Sequence, residues 1–250
     1  MKKKIWFLAL LVVVVLSAIA IYWFYFSKPD PFLTNKQLIE EINQLFPEAD
    51  VKVIQDMISI DKRHWVVPFV AKGDKYGFSN WEWQQHNWEI ASINTTEQPY
   101  IWKINSEDPS TFHFVWNIHP ADQIGYLTFY LIRERGFHGS NGQVTYDPGV
   151  QMAKKVALHE KSYGVLQLPD DWAVFMNTFK KVESAKNPDK LIKTLFPDKR
   201  MYFGWTAYDQ LGKETIPNGD NNQGFSSGGG DIDFVMYLNE SKIESPKDGE

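Results

Sequence analysis

Residues 5–26 run for 22 positions without a charged side chain, and no other feature constrains the chain so strongly. At about 1.5 Å of rise per residue, a helix of that length reaches roughly 33 Å, close to the thickness of a bilayer core. Lys2, Lys3 and Lys4 precede the run and only Lys28 follows closely. The positive-inside bias therefore puts the N-terminus in the cytoplasm and the rest of the chain outside. Trp6 at one end and Tyr22, Trp23, Phe24 and Tyr25 at the other suit the two interfacial belts. A cleaved secretory signal is the alternative, because Ala18-Ile19-Ala20 fits the small-residue cleavage pattern. Cleavage there would leave Ile21 to Phe26 as an apolar mature N-terminus, whereas an ordinary signal ends its apolar region before the site. The expectation is a cell-membrane, single-pass protein with an extracytoplasmic body, the alternative being secretion after cleavage near Ala20.

The exported part is built to fold. The whole chain carries 10 Trp, 11 Tyr and 17 Phe, with 43% hydrophobic and 23% charged residues, which excludes disordered and low-complexity classes. With Lys2, Lys3, Lys4 and Lys28 set aside as membrane flanks, 22 basic and 31 acidic residues remain, a net charge of −9. Such a body repels nucleic acid, so no nucleic-acid partner is expected. There is no cysteine, so disulfides, thiol catalysis, cysteine metal sites and a lipoprotein anchor are excluded. Export without disulfides points to a bacterial cell envelope rather than an endoplasmic-reticulum route.

Five segments follow: a cytoplasmic tail (1–4), a transmembrane signal-anchor helix (5–26), a spacer (27–32), an extracytoplasmic α+β domain (33–239) and a polar, frayed C-terminal tail (240–250). Pro29 and Pro31 mark the spacer. Thr34 then caps a helix, Gln37 completes a capping box, and Leu38, Ile42 and Leu45 share its apolar side until Pro47 stops it. From Val51 to about Tyr146 the pattern changes to short alternating runs between turns, the mark of antiparallel strands. Phe112, Phe114, Trp116 and Ile118 alternate with a mixed face, and residues 126–133 are apolar on both faces, as a central strand requires. One strand is expected within residues 156–168. Asp170 caps a second helix presenting Trp172, Phe175, Met176, Phe179 and Val182. Asn187-Pro188 opens a short third helix, and residues 201–208 and 231–238 form closing strands. No fixed-period repeat is visible. The fold class expected is α+β, an antiparallel sheet with two or three packed helices.

Catalytic signals are weak. Gly224-Phe225-Ser226-Ser227-Gly228 satisfies G-x-S-x-G, but a nucleophile elbow needs a strand before it and a helix after it. Here a polar segment precedes and a strand follows, so a flexible loop is expected. Asp231 and Asp233 share a strand face, and with Asp220 and Asn222 they could offer oxygens to Ca²⁺, but the spacing misses the calcium-loop motif. None of His64, His86, His113, His119, His138 and His159 sits in a ligand motif. No catalytic residue, metal site or cofactor is assigned.

Trp81, Trp83 and Trp88 form the constellation that stands out. A turn at Gln84-Gln85-His86-Asn87 sets Trp83 opposite Trp88 and Trp81 opposite Ile90, with all three indoles on one face and Glu82 facing Glu89 on the other. A bulge is expected at Ser79-Asn80, because Tyr76 and Phe78 run in the opposite phase. Core packing is the expected role of such indoles, since a sheet needs large apolar groups under its helices. The same three, with His86, are the candidate ligand surface, because flat apolar faces stack on sugars or peptides while amides hydrogen-bond. The expected function is a non-enzymatic binding or interaction module whose partner is an envelope protein or wall component. The alternative is an anchored hydrolase using carboxylates such as Glu134, Glu160, Asp231 or Asp233.

Overall fold

The computed structural model describes residues 2–140, 143–186, 200–217, 224–229 and 231–244. Helix α1 (Lys2–Phe26) comes first. A non-helical strap, residues 27–34, leads into α2 (Asn35–Leu45). Five strands follow in close succession: β1 (Val51–Ile54), β2 (Ile58–Ser59), β3 (His64–Ala71), β4 (Lys75–Gln84) and β5 (Asn87–Asn94). Next are β6 (Tyr100–Lys103), β7 (Phe112–Asn117), β8 (Ile124–Arg133), the hairpin pair β9 (Gly136–Ser140) and β10 (Gln143–Asp147), then β11 (Val150–Ala157) and β12 (Tyr163–Gln167). Helix α3 (Asp170–Lys186) and β13 (Met201–Asp209) precede three short strands, β14 (Ser226–Gly228), β15 (Ile232–Phe234) and β16 (Met236–Tyr237).

These strands make three larger sheets and one separate hairpin. Sheet I runs β1-β3-β4-β5-β14 with β2 attached to β3, sheet II runs β12-β7-β6-β15, sheet III runs β11-β8-β13-β16, and among the described residues β9 pairs only with β10. Among the described strands every pairing is antiparallel except that of β13 with β16. The architecture is therefore mostly antiparallel sheet with a few helices, α+β in class.

Four apolar clusters show how the sheets stack. Leu38 and Ile42 of α2 pack on Val67, Phe69, Trp81 and Ile93 of sheet I. The other face of sheet I, with Val66 and Phe78, meets Tyr100, Trp102 and Val115 of sheet II. The far side of sheet II, with Phe114 and Trp116, meets Leu127, Phe129, Leu131 and Trp205 of sheet III, and α3 closes this layer with Trp172. Tyr130, Ile132 and Leu238 cover the last face. The central strands of sheet II, β6 and β7, are thus buried on both sides. The apolar face expected for β7 is in place, but its mixed face is buried too, against sheet I. Asn117 is tolerated there because its amide donates to the carbonyls of Phe69 (3.2 Å) and Gly77 (2.7 Å), tying sheet II to backbone groups of sheet I.

The local signals at α2 hold. Thr34 accepts from the Gln37 amide while the Gln37 side chain returns a bond to the Thr34 backbone, a complete capping box. Leu38 and Ile42 are buried, but Leu45 points outward because the helix ends there and leaves the sheet before Pro47. Asp170 lies within α3 rather than before it, and the carbonyl of Pro169 takes the first bonds, from the Trp172 and Ala173 amides.

The strand expected within residues 156–168 is β12; β11, most of which precedes that range, escapes because it is an exposed edge strand with Lys154 and Lys155 breaking its alternation. Three further expectations need correction. Residues 231–238 are not one strand, because the chain crosses from sheet II to sheet III at the buried Val235. Residues 226–228, expected as loop, pair with β5. The C-terminal tail is docked as far as it is described: Ile243 packs against the last cluster, Glu244 exchanges two bonds with Gln151, and its carboxylate pairs with Arg135. The third helix expected after Asn187 lies outside the described residues.

Side chains are described for part of α1, and among the described residues no helix is long and apolar enough to cross a membrane. The helix as a whole is nevertheless 25 residues long and contains the uncharged run of residues 5–26.

Candidate functional site

The β4–β5 hairpin forms in the register its sequence implies. Trp83 pairs with Trp88, Trp81 with Ile90 and Glu82 with Glu89, and a bulge falls between Asn80 and Trp81. The turn is tighter than four residues. Gln84 pairs with Asn87, leaving Gln85 and His86 as a two-residue connection with φ of 48° and 65°. Two positive φ values are the geometry that matches hairpin twist, here adopted without glycine.

The indoles are not an open platform. Trp81, Trp83 and Trp88 expose 0%, 4% and 9% of their surfaces. The reason is the covering chain. Besides α2, the strap lays Phe32 into the aromatic face: its ring stacks on Trp65 at 4.5 Å and meets Trp88 edge-on at 4.9 Å and Trp81 at 6.0 Å. Trp88 donates its indole N–H to the carbonyl of Asp30 at 3.2 Å, and Trp81 donates to the Ser79 hydroxyl at 2.8 Å. Both buried N–H groups are thereby satisfied, as such groups require.

Around the hairpin tip, polar groups hold the junction with α1. Arg63 donates to the carbonyl of Ser27 at 2.6 Å and to that of Trp83 at 3.4 Å. His86 packs against Trp23 of α1 with centroids 4.2 Å apart and the rings tilted by 32°, and its Nε2 lies 3.0 Å from the Trp23 carbonyl. The Ser27 hydroxyl lies 3.3 Å from His86 Nδ1. Three of the four residues of the candidate ligand surface, Trp81, Trp88 and His86, therefore touch the chain's own N-terminal segment, and Trp83 packs in the same cluster. Phe32, Trp65, Arg63 and Ser27 were not anticipated. The sequence signal for Phe32 is a lone aromatic directly after Pro29-Asp30-Pro31, in a spacer too short to wander far from the sheet.

The other candidates are dispersed. Glu134 follows β8 and Glu160 lies between β11 and β12. Asp233 on β15 forms an ion pair with Lys103, and the backbone carbonyl of Asp231 accepts from the Lys103 amide. Asp220 and Asn222 lie outside the described residues. The carboxyls of Asp50, Asp56 and Glu107 are held below their ordinary range by hydrogen bonds from Lys52, Lys161 and Lys180 respectively. His64 lies 2.8 Å from Asp61 and His119 lies 3.0 Å from Asp74. Burial pushes His113 down, the carbonyl of Thr111 at 2.9 Å opposing that shift. Among the described residues no three His, Asp or Glu side chains gather in a way that could hold a metal ion. At the rim of sheet I, beside Phe225, a cavity of about 320 Å³ is lined by Glu48, Asp50, Lys72, Lys75 and Thr95.

Fold and site together define a class: an N-terminal helix strapped through an aromatic clamp to a stack of largely antiparallel sheets. No family model, no curated protein and no solved structure matches the chain.

Proposed function

We propose that this is a single-pass, membrane-anchored, extracytoplasmic protein of the bacterial cell envelope whose domain is a non-enzymatic binding module held close to the lipid surface. The observation that carries this reading is the clamp. An anchor joined to its domain by a loose spacer would need no Phe32 seated among Trp65, Trp81 and Trp88, and no Arg63 or His86 gripping Ser27 and Trp23. The clamp fixes the exit direction of α1, so the domain presents one set of surfaces away from the bilayer. Further support comes from the uncharged residues 5–26 and the lysines at positions 2, 3 and 4. In this reading the Trp hairpin's own ligand is the strap, and the partner, an envelope protein or wall component, binds elsewhere on the domain.

The absence of native cysteine makes topology directly testable. Lys3→Cys and Lys154→Cys, the latter on the exposed edge of β11, are to be expressed separately in bacteria as full chains and treated intact with a membrane-impermeant maleimide. Labelling at position 154 and protection at position 3, in a protein that retains its N-terminal residues by mass, is the expected result. Equal labelling of both, or the reverse pattern, overturns the anchored orientation. A mass that begins after Ala20 replaces it with secretion.

A further inference from the structure

β5 would be the outer strand of sheet I but for residues 224–229, which lie along half of it. Ser226, Ser227 and Gly228 pair with Asn94, Ile93 and Ser92. The Thr95 amide donates to the Phe225 carbonyl at 3.0 Å, the Phe225 amide to the Thr95 hydroxyl at 2.9 Å, and the Gly229 amide to the Ala91 carbonyl at 3.4 Å. Antiparallel alternation then places Ser227, midway between Phe225 and Gly229, in a hydrogen-bonded pair with Ile93. Both glycines of the G-x-S-x-G string are explained by this contact rather than by catalysis. A Cβ at Gly224 would lie 2.6 Å from the Thr95 carbonyl oxygen, and one at Gly228 would lie 2.5 Å from the Ser92 Cβ.

The segment's hold is backbone plus one side chain. Phe225 enters the apolar cluster under α2 and faces Phe46 at 6.2 Å, whereas Ser226, Ser227 and Gly228 are all exposed. The segment leaves the outer edge of Asn87 to Ile90 without a strand partner among the described residues. A cavity lined by Glu48, Asp50, Lys72, Lys75 and Thr95 lies beside Phe225, at the Thr95 end of the segment.

We propose that the outer edge of β5 is a docking site for an extended peptide of another protein, and that residues 224–229 occupy it as an internal mimic of that peptide. The inference rests on the reading of the domain as a binding module and names its partner class. The mimic states the chemistry: an added antiparallel strand with an aromatic residue for the Phe46 pocket, a small residue two positions on, and glycine after it. Main-chain bonds give the affinity and the alternate side chains give the selectivity. A foreign partner fits better than a second copy. β14 is internal to the chain, between β13 and β15, which are each paired in another sheet, so exchange between copies would have to carry both flanks across.

The test uses the full chain in detergent micelles and a fluorescein-labelled Gly-Phe-Ser-Ser-Gly-Gly peptide. Ser226→Cys with Asn94→Cys places two cysteines at a non-hydrogen-bonded pair, the closer type in an antiparallel ladder, where a disulfide can form. Oxidation locks the segment in place and reduction leaves it free to exchange, with the same protein in both arms. Phe225→Ala removes the aromatic anchor without touching β5. The peptide is expected to bind the reduced double variant and Phe225→Ala about ten-fold or more tightly than the oxidised form, because locking removes the binding-competent population. A peptide carrying proline at its fourth position, the one that matches the hydrogen-bonded Ser227, should lose binding. Equal affinity for oxidised and reduced protein, or no binding to either released form while both melt cooperatively, overturns the proposal. A dimer of the unmodified chain that the peptide dissociates overturns the choice of a foreign partner. The maleimide experiment reads membrane orientation alone, so the two readings fail separately.

Discussion

The β4–β5 and β9–β10 hairpins each carry an aromatic pair beside their turns, and the two pairs meet opposite fates. In β4–β5, Trp83 and Trp88 lie 5.3 Å apart and are buried under α2 and the strap. In β9–β10, Phe137 and Tyr146 face each other at 5.1 Å and remain 70% and 51% exposed. Pairing chemistry is alike in both, so cross-strand contact does not decide burial. A covering element does. The second hairpin is held instead at its root, where Asp147 sits between Arg200 at 2.8 Å and Arg133 at 3.6 Å, and Arg133 lies over the Phe179 ring at 4.4 Å. One hairpin is fixed by an apolar roof, the other by a largely buried cluster of charge.

The sharpest way to break this contrast is to remove the centre of the roofed face. Trp81 is fully buried, with its N–H on Ser79, and Trp81→Ala should cost about 3–5 kcal/mol, the range for deleting a large buried aromatic. Denaturant unfolding of the full chain in micelles measures this. A loss well under that range would mean that the roof over this face is not closed in solution, or that it collapses onto the gap.

The charged root comes next. Asp147→Ala leaves Arg133 buried with its closest carboxylate gone, and breaking a buried pair from one side costs about 3–5 kcal/mol where burial is complete. Arg200 is partly exposed, and Arg133 keeps the Phe179 ring and a long bond to the Pro148 carbonyl. The expected loss is therefore near the bottom of that range. If Arg133→Met combined with Asp147→Leu restores most of the stability, the root is a matter of charge compensation; if it does not, Asp147 acts through geometry.

This contrast also shows what the sequence made legible. Alternation at Phe112, Phe114, Trp116 and Ile118, the capping box at Thr34 and the register at Trp83 and Trp88 are local facts, fixed by residues within a few positions of one another, and each is found as read. The three-sheet stack was not legible, because period two identifies an apolar face without saying what lies upon it. That is why one face of β7 reads only as mixed, although sheet I covers it, and the indoles read as a candidate ligand surface. β14 was hidden for another reason. Ser226, Ser227 and Gly228 bring backbone alone to sheet I, and a strand without apolar side chains leaves no periodic trace.

The smallest effect belongs to the exposed pair, and it sharpens the comparison most economically. Phe137→Ala and Tyr146→Ala remove rings that already face solvent, so each should change stability by no more than about 0.5 kcal/mol, as surface substitutions away from special features do. Their sum should hold in the double variant to within about 0.5 kcal/mol, less any coupling from the single ring contact. The same denaturant series measures all three. A loss above about 2 kcal/mol from either single change, the scale of a half-buried aromatic rather than a free one, would show that something covers this hairpin in solution. The two hairpins would then differ only in whether their cover comes from the same chain.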